Sequence, residues 1–386
     1  MICLHYRHFF VKHLYMKITV ILAFLFFPFT AVSQQPLPPP NVFIITTDGF
    51  RWQEIFNGAD SLIINDPAYV KDTALLKEMY WHDDVHERRK MLMPFLWQTL
   101  VKKGSIYGNR YFDNKVNVAN AYRFSYAGYN EIFTGYADPA IMGNRKKNNP
   151  NQNLLEYVNR QPDYKNKIAA FASWDLFEYI FNRKRSGFYL NNGHEPVVHD
   201  SLSAVELLAN GIQEYAFNNR QGTRNDMLTF VTAKEYIQNH HPKVVFIGFG
   251  ETDEYAHKGH YDGYLQSAHL FDEYLAQLWY LVNNDPFYKN NTSFIITTDH
   301  GRGQKPANWA RHGALTPGSS STWLITAGNG FLPEGELKNK GEIFNVQLAQ
   351  TIVELLGYRF APSHPVSEPI SRSVPEKNSN IGLTLR

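Results

Sequence analysis

The chain has 386 residues, 44% of them hydrophobic and 19% charged, so it can bury a sizeable core and is excluded from the disordered class. A formal charge of +2 without a long basic run argues against nucleic acid as the main partner. A single cysteine, Cys3, excludes a disulfide framework.

The first element lies at the N-terminus. Lys17 precedes the apolar run Ile18 to Phe29, and the small-residue pattern Ala31-Val32-Ser33 follows. This predicts a secretory signal peptide over 1–33, cut before Gln34, with Met16 as an alternative start. The competing reading is a retained membrane anchor, for which the run is short. Cleavage removes Arg7, Lys12, Lys17 and Cys3 but no acid, which leaves a formal charge of −1 and no thiol. The expectation is a periplasmic or secreted protein without a stable membrane span. Any metal must then be held by His and carboxylates.

QQPLPPP (34–40) reads as a proline-rich spacer, and 41–386 as a single catalytic domain with loop insertions at 66–89 and 140–165. VFIITT (42–47) predicts a strand ending at Asp-Gly. LMPFLWQTLVKKG (92–104) predicts a helix closing on Gly104, and KIAAFAS (167–173) a further strand. Helices over 202–217 and 225–239 lead into the strand VVFIGFG (244–250). A helix over 264–283, the strands SFIITT (293–298) and STWLITAG (321–328), and a helix over 347–357 with a Gly C-cap complete the chain. Uninterrupted apolar strands alternating with helices predict an α/β fold, three-layer α/β/α, with a mostly parallel central sheet.

The phrase FIITTD occurs twice, at 43–48 and 294–299, so two core strands each deliver an aspartate. Ligands gather at the carboxyl ends of such strands. Asp48, Asp253 with His257, and Asp299 with His300 fall there, and His312 follows in WARHGA. Three aspartates and three histidines form the mixed N/O set that zinc accepts, enough for two ions in one cleft. Asp253 and His257, at i and i+4, would point the same way if this short stretch is helical. Plainer readings stand beside this one: Asp48-Gly49 as a turn, His312 as a structural histidine, and His260 and Asp262 as ligands of equal merit. Ser125, opening the helix-like stretch YAGYNEIFTG, is either a helix cap or a nucleophile at a helix N-terminus.

In order, Asp48-Gly49-Phe50-Arg51, a hydroxyl residue before a helix ending in Thr134-Gly135, Asp253-x-x-x-His257, Asp299-His300-Gly301 and His312-Gly313 resemble the alkaline phosphatase superfamily. Within it, the type I phosphodiesterase/nucleotide pyrophosphatase branch is most similar, over roughly 48–357. The resemblance implies an alkaline-phosphatase-like fold and two zinc ions. Asp253, His257 and His312 match the ligands of one ion, and Asp48, Asp299 and His300 those of the other, with Ser125 bridging as nucleophile. It implies hydrolysis of a small-molecule phosphate ester, phosphodiester or monoester, through a covalent intermediate. Iron or manganese suits the same ligands.

The sequence also departs from that pattern. The phosphodiesterase branch carries Thr followed by Phe-Pro-Asn, whereas Ser125 is followed by Tyr126-Ala127-Gly128. The absence of the Pro and Arg of the sulfatase C/S-x-P-x-R context argues against a formylglycine sulfatase. Asn144, Asn148 and Asn149 are the candidates for holding a phosphoryl oxygen, with Asn149 taken, and Tyr126 and Arg123 are the further substrate-binding candidates. An extended Arg123 would face the same side as Ser125 and favour a monoester. An Arg123 paired with a carboxylate would leave the tyrosines to favour a diester, as the nearest motifs do. A phosphonate hydrolase or phosphomutase is the alternative within the superfamily. A non-catalytic periplasmic metal- or ligand-binding protein is the alternative of another class, and it has no need of a hydroxyl at 125.

Overall fold

The computed structural model describes residues 38–215 and 221–370; the expected signal peptide, 1–33, lies outside the described residues. Eight strands form the main sheet: β1 (Asn41–Thr47), β2 (Gly104–Tyr107), β4 (Ile168–Ala172), β5 (Tyr189–Asn192), β6 (Val244–Phe249), β7 (Thr292–Thr297), β9 (Leu324–Gly328) and β10 (Gly335–Glu336). Their order is β10-β2-β9-β7-β1-β6-β4-β5. A small sheet, β11-β3-β8, joins Gly341–Phe344, Asn114–Asn117 and Ser321–Thr322. The main sheet is parallel except at β9, which runs against both of its neighbours.

The doubled phrase has a structural meaning. β1 and β7 are parallel neighbours, and Phe43, Ile44, Ile45 and Thr46 pair with Phe294, Ile295, Ile296 and Thr297. The two copies of FIITTD therefore lie side by side in register, and Asp48 and Asp299 leave the sheet at the same level. β6 flanks β1 on its other edge, which brings the Asp253 segment to the same rim.

Strand residues alternate between two cores, as a pleat requires. Phe43, Ile45, Val245, Ile247, Phe294 and Ile296 point into one, and Val42, Ile44, Val244, Phe246 and Ile295 into the other. The first core is covered by α2 (Asp226–His240) and α4 (Tyr261–Asn284) together with the segments around Trp52–Asn57 and Leu96–Leu100. The second is covered by α1 (Ser125–Thr134) and α5 (Leu348–Leu355). Between α2 and α4 sits the short helix α3 (Glu251–His257). This is the three-layer α/β/α arrangement expected from the sequence.

Several local expectations change. Gly104 closes the helical segment, as expected, but in extended rather than left-handed backbone. The segment after Val85–Leu92 widens into a π-type turn over Leu96–Leu100, continues to Lys103, and Gly104 opens β2. STWLITAG divides into β8 and β9, which belong to different sheets. No helix among the described residues is long and apolar enough to cross a membrane.

Candidate metal centre

The turn after β1 carries Asp48 and Gly49. Gly49 has φ +57°, and its N–H donates to Asp299 Oδ1 at 3.0 Å. A Cβ at this position would lie 2.7 Å from Asp253 Oδ1 and 3.0 Å from His300 Cε1, so only glycine fits between the acidic side chains and the imidazole. Asp48, Asp299 and His300 form one buried group, with ligand atoms all within 4.8 Å of one another. His300 Nε2 is 3.5 Å from both Asp48 Oδ1 and Asp299 Oδ2.

The hydrogen bonding fixes the protons. His300 Nδ1 lies 3.0 Å from the Gly301 carbonyl, which can only accept, so Nδ1 carries the hydrogen and Nε2 presents a lone pair to the two carboxylates. Burial, with His312 beside it, holds His300 well below the usual imidazole range, so it stays neutral. Asp299 Oδ2 is buried with no hydrogen-bond partner. A bare lone pair, an orphaned carboxylate oxygen and a second buried carboxylate at one point repel one another. A divalent cation satisfies all three, so the residues fit a metal. Without one, burial and then the neighbouring acids Asp299 and Asp253 push Asp48 well up, and burial pushes Asp299 up to about 8.

The second group is more open. Asp253, His300 and His312 meet within 4.8 Å, so His300 belongs to both groups. His257 Nε2 stands at the edge, 3.0 Å from Asp253 Oδ2 and 3.1 Å from His312 Nε2. Its partner His312 donates Nδ1–H to the Arg123 carbonyl at 3.0 Å, which leaves its Nε2 bare, and burial lowers it to about 4. The rings of His300 and His312 stack with centroids 3.9 Å apart and link the two groups. Burial alone would raise the Asp253 carboxyl, but Arg302 and His257 hold it well below the ordinary range. Arg302 Nη1 is 2.5 Å from Asp253 Oδ1. His260 and Asp262 instead line a separate groove with Lys71 and Tyr255.

Ser125 is the first residue of α1, and the N-cap position is held by Phe124, with no side-chain capping bond. Its hydroxyl turns toward both groups, with Oγ 3.2 Å from His300 Nε2 and 3.4 Å from Asp48 Oδ1. The helix can come this close because of Gly128, where a Cβ would lie 2.3 Å from the Asp299 carbonyl oxygen. Tyr129 Oη lies 3.4 Å from Asp48 Oδ2. A cavity of about 190 Å³ opens beside Ser125, and Asp48, Asp253, Asn144 and Trp174 are among the residues lining it.

The side chains of the substrate-binding candidates make other contacts. Arg123 is not extended: its φ is +57°, and Nη1 donates to the Ala314 carbonyl at 3.1 Å, so it neither parallels Ser125 nor pairs with a carboxylate. Its backbone carbonyl orients His312 instead. Tyr126 is buried, with its hydroxyl donating to the Lys147 carbonyl at 2.7 Å. Asn149 is buried against Asn130 at 3.0 Å. Asn144 is the asparagine that lines the cavity, and its Oδ1 accepts the Tyr126 N–H at 3.0 Å. Sequence reasoning missed Arg302, whose only signal was its place two residues after Asp299-His300, and also Trp174.

The main sheet and its rim can now be set beside known proteins. Alkaline phosphatase PafA superimposes with a TM-score of 0.58 at 10% identity, over 87% of this chain and 99% of that one. The fold is alkaline-phosphatase-like. A protein from Bacteroides thetaiotaomicron described as a sulfatase is similar with a TM-score of 0.54 at 12% identity, covering 87% of this chain and 73% of its own. The lipoteichoic acid synthase LtaP from Listeria monocytogenes gives 0.50 at 12%, with coverages of 84% and 74%. Residues 190–316 match the family model of the Metalloenzyme superfamily, a stretch that contains Asp253, His257, Asp299, His300 and His312. No curated protein matches the sequence.

Proposed function

We propose that this protein is an exported hydrolase of phosphoric esters that uses Ser125 as nucleophile between two divalent ions, zinc in the first instance. The observation that carries this reading is the position of Ser125 Oγ, on the first turn of α1 and within 3.4 Å of both Asp48 and His300. Asp48, Asp299 and His300 would hold one ion, and Asp253, His257 and His312 the other. When bound, divalent ions lower the pKa of a nearby hydroxyl and offset charge on phosphoryl oxygens.

The chain's own residues supply the rest. The position of Ser125 at a helix start places the anionic phosphoryl group near the positive end of α1. Attack by Oγ forms the serine–phosphorus ester and releases the alcohol arm. Water then attacks phosphorus, restores the hydroxyl and releases a phosphate monoester from a diester, or inorganic phosphate from a monoester. Arg302 keeps Asp253 ionised and fixes one of its oxygens. For the substrate, Trp174 in the cavity lining favours an organic second arm, and Arg123 gives Nη1 to the Ala314 carbonyl instead of pointing with Ser125. A phosphodiester is therefore the preferred reading.

The test is hydrolysis of bis-p-nitrophenyl phosphate against p-nitrophenyl phosphate by the zinc-loaded protein. The diester should show the higher kcat/KM, a chelator should abolish both reactions, and Ser125→Ala should keep the ions yet lose about 1,000-fold or more in turnover. A strong monoester preference would make this a phosphatase, and normal turnover by the Ser125→Ala variant would remove the nucleophile from the reading.

A further inference from the structure

The helix that carries Asp253 and His257 has only seven residues and begins at a glycine. Gly250, its N-cap, has no side chain with which to cap, so the first N–H groups of α3 need a partner from elsewhere. That partner is Asp226, the first residue of α2. Asp226 Oδ1 accepts the Gly250 N–H at 2.8 Å, and Oδ2 accepts the Glu251 N–H at 2.9 Å. Glu251 returns the contact: its carboxylate accepts the Asp226 N–H at 3.1 Å and Asn225 Nδ2 at 2.8 Å. Two helix N-termini thus exchange carboxylates, each acid lying at the positive end of the other helix.

Asp226 also receives the Ser173 hydroxyl at 2.5 Å, from the residue that follows β4. One buried carboxylate therefore pins three points: the end of β4, the end of β6 and the start of α3. Keeping Asp226 buried beside a second, partly buried acid is costly. Burial, with Glu251 beside it, pushes the Asp226 carboxyl above the usual range, a cost a neutral residue would avoid. A helix this short has little rigidity of its own. A tilt at its start carries Asp253, its third residue, and His257, its last, away from His312 together.

We infer that Asp226 is a positioning residue for the ion held by Asp253, His257 and His312, acting through the start of α3. This rests on the two-ion reading above. Outer partners that orient metal ligands typically change metal affinity by about 10- to 100-fold when removed. Asp226→Asn keeps the shape but replaces an acceptor of three donors with a group that can accept through one oxygen only. Its second atom would set an N–H₂ against an N–H.

The experiment is competition for zinc between the full protein and a chromophoric chelator, for wild type, Asp226→Asn, Ser173→Ala and Asp272→Asn. Asp272 is a remote control of the same kind, a buried carboxylate that accepts the backbone N–H groups of Phe95 and Leu96 at a helix start. The expected result is one ion weakened by about 10- to 100-fold in Asp226→Asn, with the other unmoved. Ser173→Ala should weaken the same ion by a smaller factor, and this arm carries the test if Asp226→Asn does not fold. Asp272→Asn should lower the melting temperature without moving either zinc affinity. Two ions held equally tightly by wild type, Asp226→Asn and Ser173→Ala would overturn this inference alone. A wild-type protein that binds no zinc would overturn the functional reading along with it.

Discussion

Asp48, Asp299 and His300 grow straight out of two neighbouring strands, whereas Asp253, His257 and His312 ride on a seven-residue helix and a loop. The first set is deeply buried, with both Asp299 and His300 at 0% side-chain exposure, while the His257 side chain is 50% exposed. The inner set inherits its geometry from the in-register pairing of two copies of one hexapeptide. The outer set depends on ties made by residues that are not ligands: Arg302 to Asp253, the Arg123 carbonyl to His312, and Asp226 to the start of α3. The sheet fixes one half of the site as a consequence of folding, and side-chain hydrogen bonds must hold the other half in place.

The largest effect should separate the two sets directly. Asp299→Ala should lose at least one ion and lower turnover by about 1,000-fold or more, because it empties the buried half beside Ser125. His257→Ala, at the exposed edge, should weaken one ion by about 10- to 100-fold and leave the other bound. Elemental analysis after graded chelation reads both, and equal loss in the two variants would break the comparison.

A smaller effect concerns the seam between Ser125 and the inner set. Gly128→Ala places a methyl about where the Asp299 carbonyl oxygen stands, since the ideal Cβ is 2.3 Å from it. Helix α1 must back away, at a cost of about 1–3 kcal/mol of stability. Turnover should fall while zinc content stays at the wild-type level. Unchanged kinetics would mean that the close approach of α1 does not matter to the reaction.

The inner strands were legible in the sequence because they are continuous apolar runs that no helix period explains. Asp48, Asp299 and His300 were legible because each directly follows such a run. NKVN (Asn114–Asn117) and YLNN (Tyr189–Asn192) carried no comparable signal, since asparagine and lysine fill half or more of each strand. The reversal at β9 is a matter of pairing, which an apolar run does not encode. Arg123 was misread because a left-handed φ is rare for arginine and nothing local announces it. Asn149 was taken over Asn144 because type and spacing alone do not say which amide faces the cavity. The cap that Asp226 gives α3 comes from a residue 24 positions away, beyond any local capping pattern.

The smallest effect lies outside the site and sharpens the contrast with it. Burial pushes the Asp272 carboxyl up to about 7 from an ordinary 3.8, so the folded state holds this proton more tightly than the unfolded chain. Stability from this group therefore falls as pH rises from about 4 to about 7; the penalty is absent below that window and complete above it. Asp272→Asn should flatten the fall in melting temperature between pH 5 and pH 7.5 by about 1–2 °C. An unchanged slope would show that this acid is ionised in the folded protein throughout.

The central claim, that two unlike ligand groups meet at one hydroxyl, is tested most directly by anomalous scattering at the zinc edge from crystals of the zinc-loaded protein. The account predicts two peaks flanking Ser125 Oγ, one among Asp48, Asp299 and His300 and one among Asp253, His257 and His312, the second weakening first when the crystal is treated with chelator. No peak at either group, or a single peak remote from Ser125, would contradict it.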